Sequence, residues 1–204
     1  MELNSYLKIK TFTNLLADIV LSLLLPVKKS RELGNKANFN YGLKIVLFAY
    51  LVLVILYLPL EIVIIRTSLT DALEELNFLT SFNLLFSILV CPLGILMFMI
   101  MPFLLEILFI WISTIAESYK VDIGVLIGLL APPFMGLYLL FTLISWVNIP
   151  FYEIGLIFII VRPIYAFIFL GKVMKSKIRT IIPVLSIMIV EVPLYLFMSI
   201  ASGF

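Results

Sequence analysis

The sequence predicts an all-α fold: a polytopic transmembrane helical bundle of five spans, with an N-terminal interfacial amphipathic helix. Three observations predict it. Hydrophobic residues make up 64% of 204, and mean hydropathy is +1.24. That is more apolar surface than a soluble core of this size can bury. The apolar residues run in membrane-length stretches separated by short polar turns. The net charge is only +2, and the cations gather in the N-terminal arm and the 172–179 turn. Residues 1–43 read as a cytoplasmic amphipathic arm and linker, and residues 44–204 as the transmembrane helical domain.

The arm comes first. Phe12, Leu15, Leu16, Ile19 and Leu23 recur at helical spacing, with Asn14, Asp18 and Ser22 on another face. The polar interruptions predict a helix over 6–25 that lies in the interface rather than spanning. Pro26-Val-Lys-Lys stands where a signal peptide would need a small-residue cleavage site, so the segment is expected to be retained. Pro26 should end the helix. Lys28, Lys29, Arg31 and Lys36, then Gly34-Asn35 and 38–40, read as a turn-rich basic linker.

The spans come next, in order. Lys44–Ile65 has 22 residues, a rise of roughly 33 Å against a hydrocarbon core of about 30 Å. A polar loop over 66–77 carries Asp71, Glu74 and Glu75. The 41 residues of 78–118 are too long for one span and have no polar loop to divide them. Pro92, Gly94 and Pro102 offer breaks. The reading is an interfacial or re-entrant 78–90, then one kinked span from about Pro92 to Ala116. Ile123–Val147 is the third span. Pro132-Pro133 in its middle should bend it, and that bend should face protein, because lipid satisfies no freed carbonyl. Tyr152–Gly171 and Thr180–Ala201 complete the set. Trp146 and Tyr152 fall where interface aromatics belong.

Charge bias orients the bundle. The 172–179 turn holds Lys172, Lys175, Lys177 and Arg179 with no acid. Five spans place it on the cytoplasmic side with the basic arm, leave three acids outside, and put the C-terminus outside; six spans would turn it outward, against the positive-inside rule. Lys28, Lys29 and Arg31 extend this basic cytoplasmic face, whose expected partner is a bilayer with anionic headgroups. Other membrane proteins or a second copy are further candidate partners, and nucleic acid is not expected.

Four ionisable residues interrupt the apolar segments: Glu61, Glu106, Arg162 and Glu191. Glu106 is eleven residues from Glu117, Arg162 ten from Lys172, and Glu191 eleven from Thr180. All three therefore lie roughly 15–17 Å from the cytoplasmic ends, near the midplane. A charge there costs at least about 2.5–3.5 kcal/mol and should be paired or hydrated. The spacing predicts an ion triad on three helices, with the Arg162 fork accepting both carboxylates as partners. One reading is a clamp that fixes helix order. The other is a proton or ion path, with Pro163 adding a kink and a free carbonyl beside Arg162.

Little else in the chain carries chemistry. Histidine is absent and Cys91 is the only cysteine, which removes the commonest general base and any thiolate metal site. No Walker loop, HExxH, GxSxG or CxxC occurs. Cys91 reads as a packed thiol. Met97, Met99 and Met101 read as core or lipid-facing, and Asp71, Glu74 and Glu75 as a solvated loop. Gly124-x3-Gly128 is one small-x-x-x-small packing face. No enzyme and no cofactor is expected. The two functional expectations are a membrane-organising scaffold and a small-solute or ion transporter using the midplane cluster.

The order of elements resembles the Yip-one (Ypt/Rab-interacting protein) domain family. The carriers are Pro26-Val27-Lys28-Lys29, Arg31-Glu32-Leu33, Gly171-Lys172-Val173, and Lys177-Ile178-Arg179-Thr180-Ile181-Ile182-Pro183. The chain departs from the family at Ser30-Arg31 and at Glu117-Ser-Tyr-Lys120. The resemblance implies a five-helix membrane component without catalytic residues, of a kind linked to vesicle traffic and small-GTPase machinery.

Overall fold

The computed structural model describes residues 2–70, 92–116, 120–145, 151–174 and 177–201. Among them the chain is helical and has no strand. Helix α1 is Glu2–Leu24, α2 Pro26–Leu33 and α3 Phe39–Thr70. A π-helical stretch, Leu96–Ile100, leads into α4, Met101–Ala116. Helices α5, α6 and α7 are Ile123–Ser145, Phe151–Val173 and Lys177–Ala201. The expected interfacial segment over 78–90, the acids of the 66–77 loop and Cys91 lie outside the described residues.

Local chemistry sets the helix starts. Asn38 Oδ1 accepts from the Tyr41 N–H at 2.9 Å, and Asp122 Oδ1 from the Gly124 N–H at 2.6 Å. Each satisfies an N–H that the first turn leaves free. Asn38 therefore starts α3 at Phe39, ahead of the expected Lys44. Pro26 does not end the arm in a linker. It opens α2 at a first-turn position, where its missing N–H breaks no bond. Lys28, Lys29 and Arg31 thus stand on a helix. The basic turn is likewise shorter than expected: Lys172 belongs to α6, and Lys177 and Arg179 to the first turn of α7. The α5 helix runs unbroken through Pro132 and Pro133, and its 126–139 stretch is buried throughout. The prolines face protein, as lipid would require.

Helix α5 is the axis of the packing. It touches α1, α3, α4 and α6, with α3 its broadest contact, while α7 packs on α4 and α6, and α2 on α6. Glycines set the α3–α5 approach. A Cβ on Gly128 would lie 2.5 Å from Asn38 N, and one on Gly42 2.8 Å from Gly128 N. Only bare backbone fits there.

The core is apolar and so, unlike that of a soluble bundle, is much of the outer surface. Leu47, Leu51 and Ile55 of α3, Leu104, Leu108 and Ile112 of α4, and Ile181, Leu185 and Ile189 of α7 face outward. Each trio recurs at helical spacing and adds to a broad exposed apolar surface. Thr114, Thr142 and Ser186 are buried and return their hydroxyls to carbonyls of the preceding turn. Among the described residues, Phe39–Tyr57 and Ile123–Ile144 are long and apolar enough to cross a membrane.

Helix α1 contacts α3, α5 and α6 of the bundle. Phe12 stacks edge-on against Phe48 of α3, at 4.7 Å between ring centroids. Leu23 and Ile19 meet Gly136 of α5, where a Cβ would come within 3.0 Å of the Leu23 side chain and 3.1 Å of that of Ile19. The Tyr165 hydroxyl of α6 donates to the Leu23 carbonyl at 2.7 Å.

Candidate functional site

Three helices each bring one charged side chain to a point inside the bundle. Glu106 comes from α4, Arg162 from α6 and Glu191 from α7. Their exposures are 0%, 1% and 4%. Arg162 Nη1 donates to Glu191 Oε1. Arg162 Nη2 lies 2.8 Å from Glu106 Oε2, but the N–H does not point at the oxygen, so this pair is held by charge. Glu106 Oε1 and Arg162 Nε have no hydrogen-bond partner among the described residues.

Helix α5 supplies the walls. The guanidinium lies 4.6 Å from the Phe134 ring centroid and 4.8 Å from that of Tyr138. Both are within the range where ring quadrupoles attract a cation, and the attraction grows when the cation is desolvated. Phe103, one turn before Glu106, packs edge-on against Phe134 at 6.0 Å. Pro163 sits inside α6 without ending it. The result is a planar cation between two carboxylates, with aromatic rings closing it from water.

A second ion cluster lies at the arm. Lys29 Nζ is 2.6 Å from Asp18 Oδ1 and donates to Glu32 Oε2 at 3.0 Å. The Tyr41 hydroxyl donates to the other oxygen of Asp18 at 2.7 Å. Helices α1, α2 and α3 are tied at this one aspartate. Burial works against the charge on Lys29, yet the Asp18 and Glu32 carboxylates outweigh it and hold its pKa above the ordinary 10.5. The hydrogen bond from Lys29 and its charge pull the Glu32 carboxyl below its usual range. Sequence reading missed this cluster because it took Pro26 as the end of structure. The Lys29/Glu32 spacing of three was the available signal.

The basic face is therefore only partly as expected. Lys28 and Arg31 are exposed. Lys29 is buried and turned inward, where Asp18 compensates it. The side chains of Lys172, Lys175, Lys177 and Arg179 lie outside the described residues.

Under α1 runs an apolar groove of about 690 Å³. Leu16 and Val20 of α1, Leu56 of α3, Leu140 of α5, and Ile157 and Tyr165 of α6 line it. Leu24 lines both this groove and a shallower hollow formed with Leu25, Pro26, Val27, Lys28 and Arg31.

Among the described residues, no group of three His, Cys, Asp or Glu side chains could hold a metal ion. The two clusters fix helices by charge. No protein-family model, curated protein or solved structure matches the chain.

Proposed function

We propose that the chain is a non-enzymatic integral membrane protein of five spans, with a cytoplasmic N-terminus and an external C-terminus. It acts as a membrane-organising scaffold through helix packing and its basic cytoplasmic face. The observation that carries this reading is the enclosure of Arg162. A transport site must meet water from at least one side, and this guanidinium is 1% exposed behind Phe134 and Tyr138. The spans are α3, the helix ending at Ala116, α5, α6 and α7. The outward apolar residues on α3, α4 and α7 support placing them in lipid. A Yip-one-like architecture remains part of the proposal, on the motifs at 26–33 and 171–183.

One observation favours the alternative of a small-solute or ion transporter. The cluster holds two carboxylates to one guanidinium, and Glu106 Oε1 is unpartnered among the described residues. Proteoliposomes loaded with a pH-sensitive dye separate the readings. The scaffold reading expects proton flux equal to that of protein-free vesicles under an imposed potential. Flux that disappears in Glu106→Gln would transfer the assignment to transport.

A further inference from the structure

The groove under α1 has no polar wall to hold water. Its only side-chain polar atom, the Tyr165 hydroxyl, is already committed to the Leu23 carbonyl. Water needs two to four polar partners, so such a space stays dry or takes an apolar occupant. At about 690 Å³ it is far larger than a packing defect, and it falls in the range of about 300–1,000 Å³ typical of ligand cavities. The hollow beside it supplies charge. Lys28 and Arg31 stand exposed on α2 and line this hollow, which shares Leu24 with the groove. The nearby acids cancel them only in part: Glu32 and Asp18 share the single charge of Lys29, and Glu32 also feels Lys28, so Lys28, Lys29 and Arg31 outnumber the two acids by one. An apolar slot with a two-cation lip matches an amphiphile with an anionic head.

We infer that the groove and its lip bind one anionic phospholipid, with an acyl chain lying under α1 between Leu56, Leu140 and Ile157. The phosphate is held by Lys28 and Arg31. The Arg31 guanidinium suits a phosphate through its planar fork, and Lys28 adds a point charge. Helix α1 then roofs a lipid and does more than rest on the bilayer. This inference rests on the membrane reading above.

The test uses the full chain purified in detergent and stripped of lipid. Phosphatidylglycerol and phosphatidylcholine with identical chains are titrated in, and bound lipid is counted by native mass spectrometry. One phosphatidylglycerol should be retained, with a preference of about tenfold or more, as expected for two cations near a phosphate. Leu140→Trp should remove the retained lipid whatever its headgroup, since the side chain at 140 is 45% exposed at the groove and the larger ring obstructs the path of an acyl chain. Val20→Phe, from the α1 side, gives the same result if Leu140→Trp does not fold. The pair Lys28→Gln/Arg31→Gln should keep the lipid and lose the headgroup preference.

Equal retention of both lipids by the unaltered chain, or retention that neither groove variant disturbs, overturns the site. A dimer that Leu140→Trp dissociates also overturns it, and makes a second copy the occupant. Alkaline carbonate extraction of the source membranes separates the two levels. Release of the protein refutes the membrane reading and the site together. A protein that stays in the membrane but retains no phospholipid refutes the site alone.

Discussion

Arg162 Nη2 lies 2.8 Å from Glu106 Oε2, and the same guanidinium holds Glu191. One cation therefore ties α6 to both α4 and α7. Removing it leaves two buried carboxylates facing each other, so Arg162→Met should destabilise the protein by about 3–5 kcal/mol or more. Adding Glu191→Gln or Glu106→Gln should each recover part of the loss, and adding both should recover most of it. Thermal melting of these variants in detergent reads the order. No recovery from either carboxylate change would remove the clamp.

The Asn38 backbone occupies the place where a side chain on Gly128 would begin, 2.5 Å from its Cβ position. Gly128→Ala must push the start of α3 away from α5, and overpacking of this kind costs about 1–3 kcal/mol. Gly94 and Gly171 have nothing within 4 Å, so alanine there should leave the melting temperature near the native value. Equal melting temperatures for Gly128→Ala and Gly171→Ala would contradict the close α3–α5 approach.

The Lys29 pair makes stability depend on alkaline pH. Its folded pKa lies above the ordinary 10.5. Its contribution is therefore complete below 10.5 and is lost as pH rises through the higher folded value. The melting difference between the native chain and Lys29→Met should be constant from pH 7 to about 10 and shrink as pH rises above about 10.5. A difference that grows with pH would reverse the sign of the argument.

Topology is checked by cysteine labelling in a Cys91→Ser background. An impermeant reagent added outside the cell should modify a cysteine placed at Gly203 and spare one placed at Ser176, by the positive-inside bias. The opposite pattern would sink the five-span arrangement.

How much of the bundle is legible in the sequence depends on the range of each force. Glu106, Arg162 and Glu191 can be grouped from the sequence because a helix rises by a fixed step and a buried charge needs a partner. Counting residues from the polar ends is enough to put them at one depth. The aromatic walls escape that count. Phe134 and Tyr138 are ordinary apolar residues until α5 turns them toward Arg162. The arm misleads for a different reason. Pro26 is a breaker inside a helix and a good first residue of one, and the residues after it decide which. Asp18, Ser22 and Lys29 look like a solvent face in isolation. In the folded chain Ser22 and Lys29 are buried and Asp18 half-buried, with α2 packed beside α1, a contact that no local pattern encodes. The continuous α5 makes the same point: Pro132 and Pro133 break an isolated helix, yet inside the bundle this one runs unbroken through both.

The π-helical stretch before α4 has a consequence for how this helix tolerates deletion. Ile95, Met99, Phe103 and Ile107 are all buried, each four residues after the last. An ideal α-helix turns about 100° per residue, so twelve residues would swing Ile107 about 120° away from Ile95. One residue taken up as a π-bulge reduces that swing to about 20°. Leu96–Ile100 thus absorbs a residue that would otherwise rotate Ile95 away from the core. Deleting the exposed Met97 turns the bulge into regular α-helix and keeps both ends facing the bundle. The same deletion placed after Glu106 leaves the bulge intact and rotates one end against the other by about 100°.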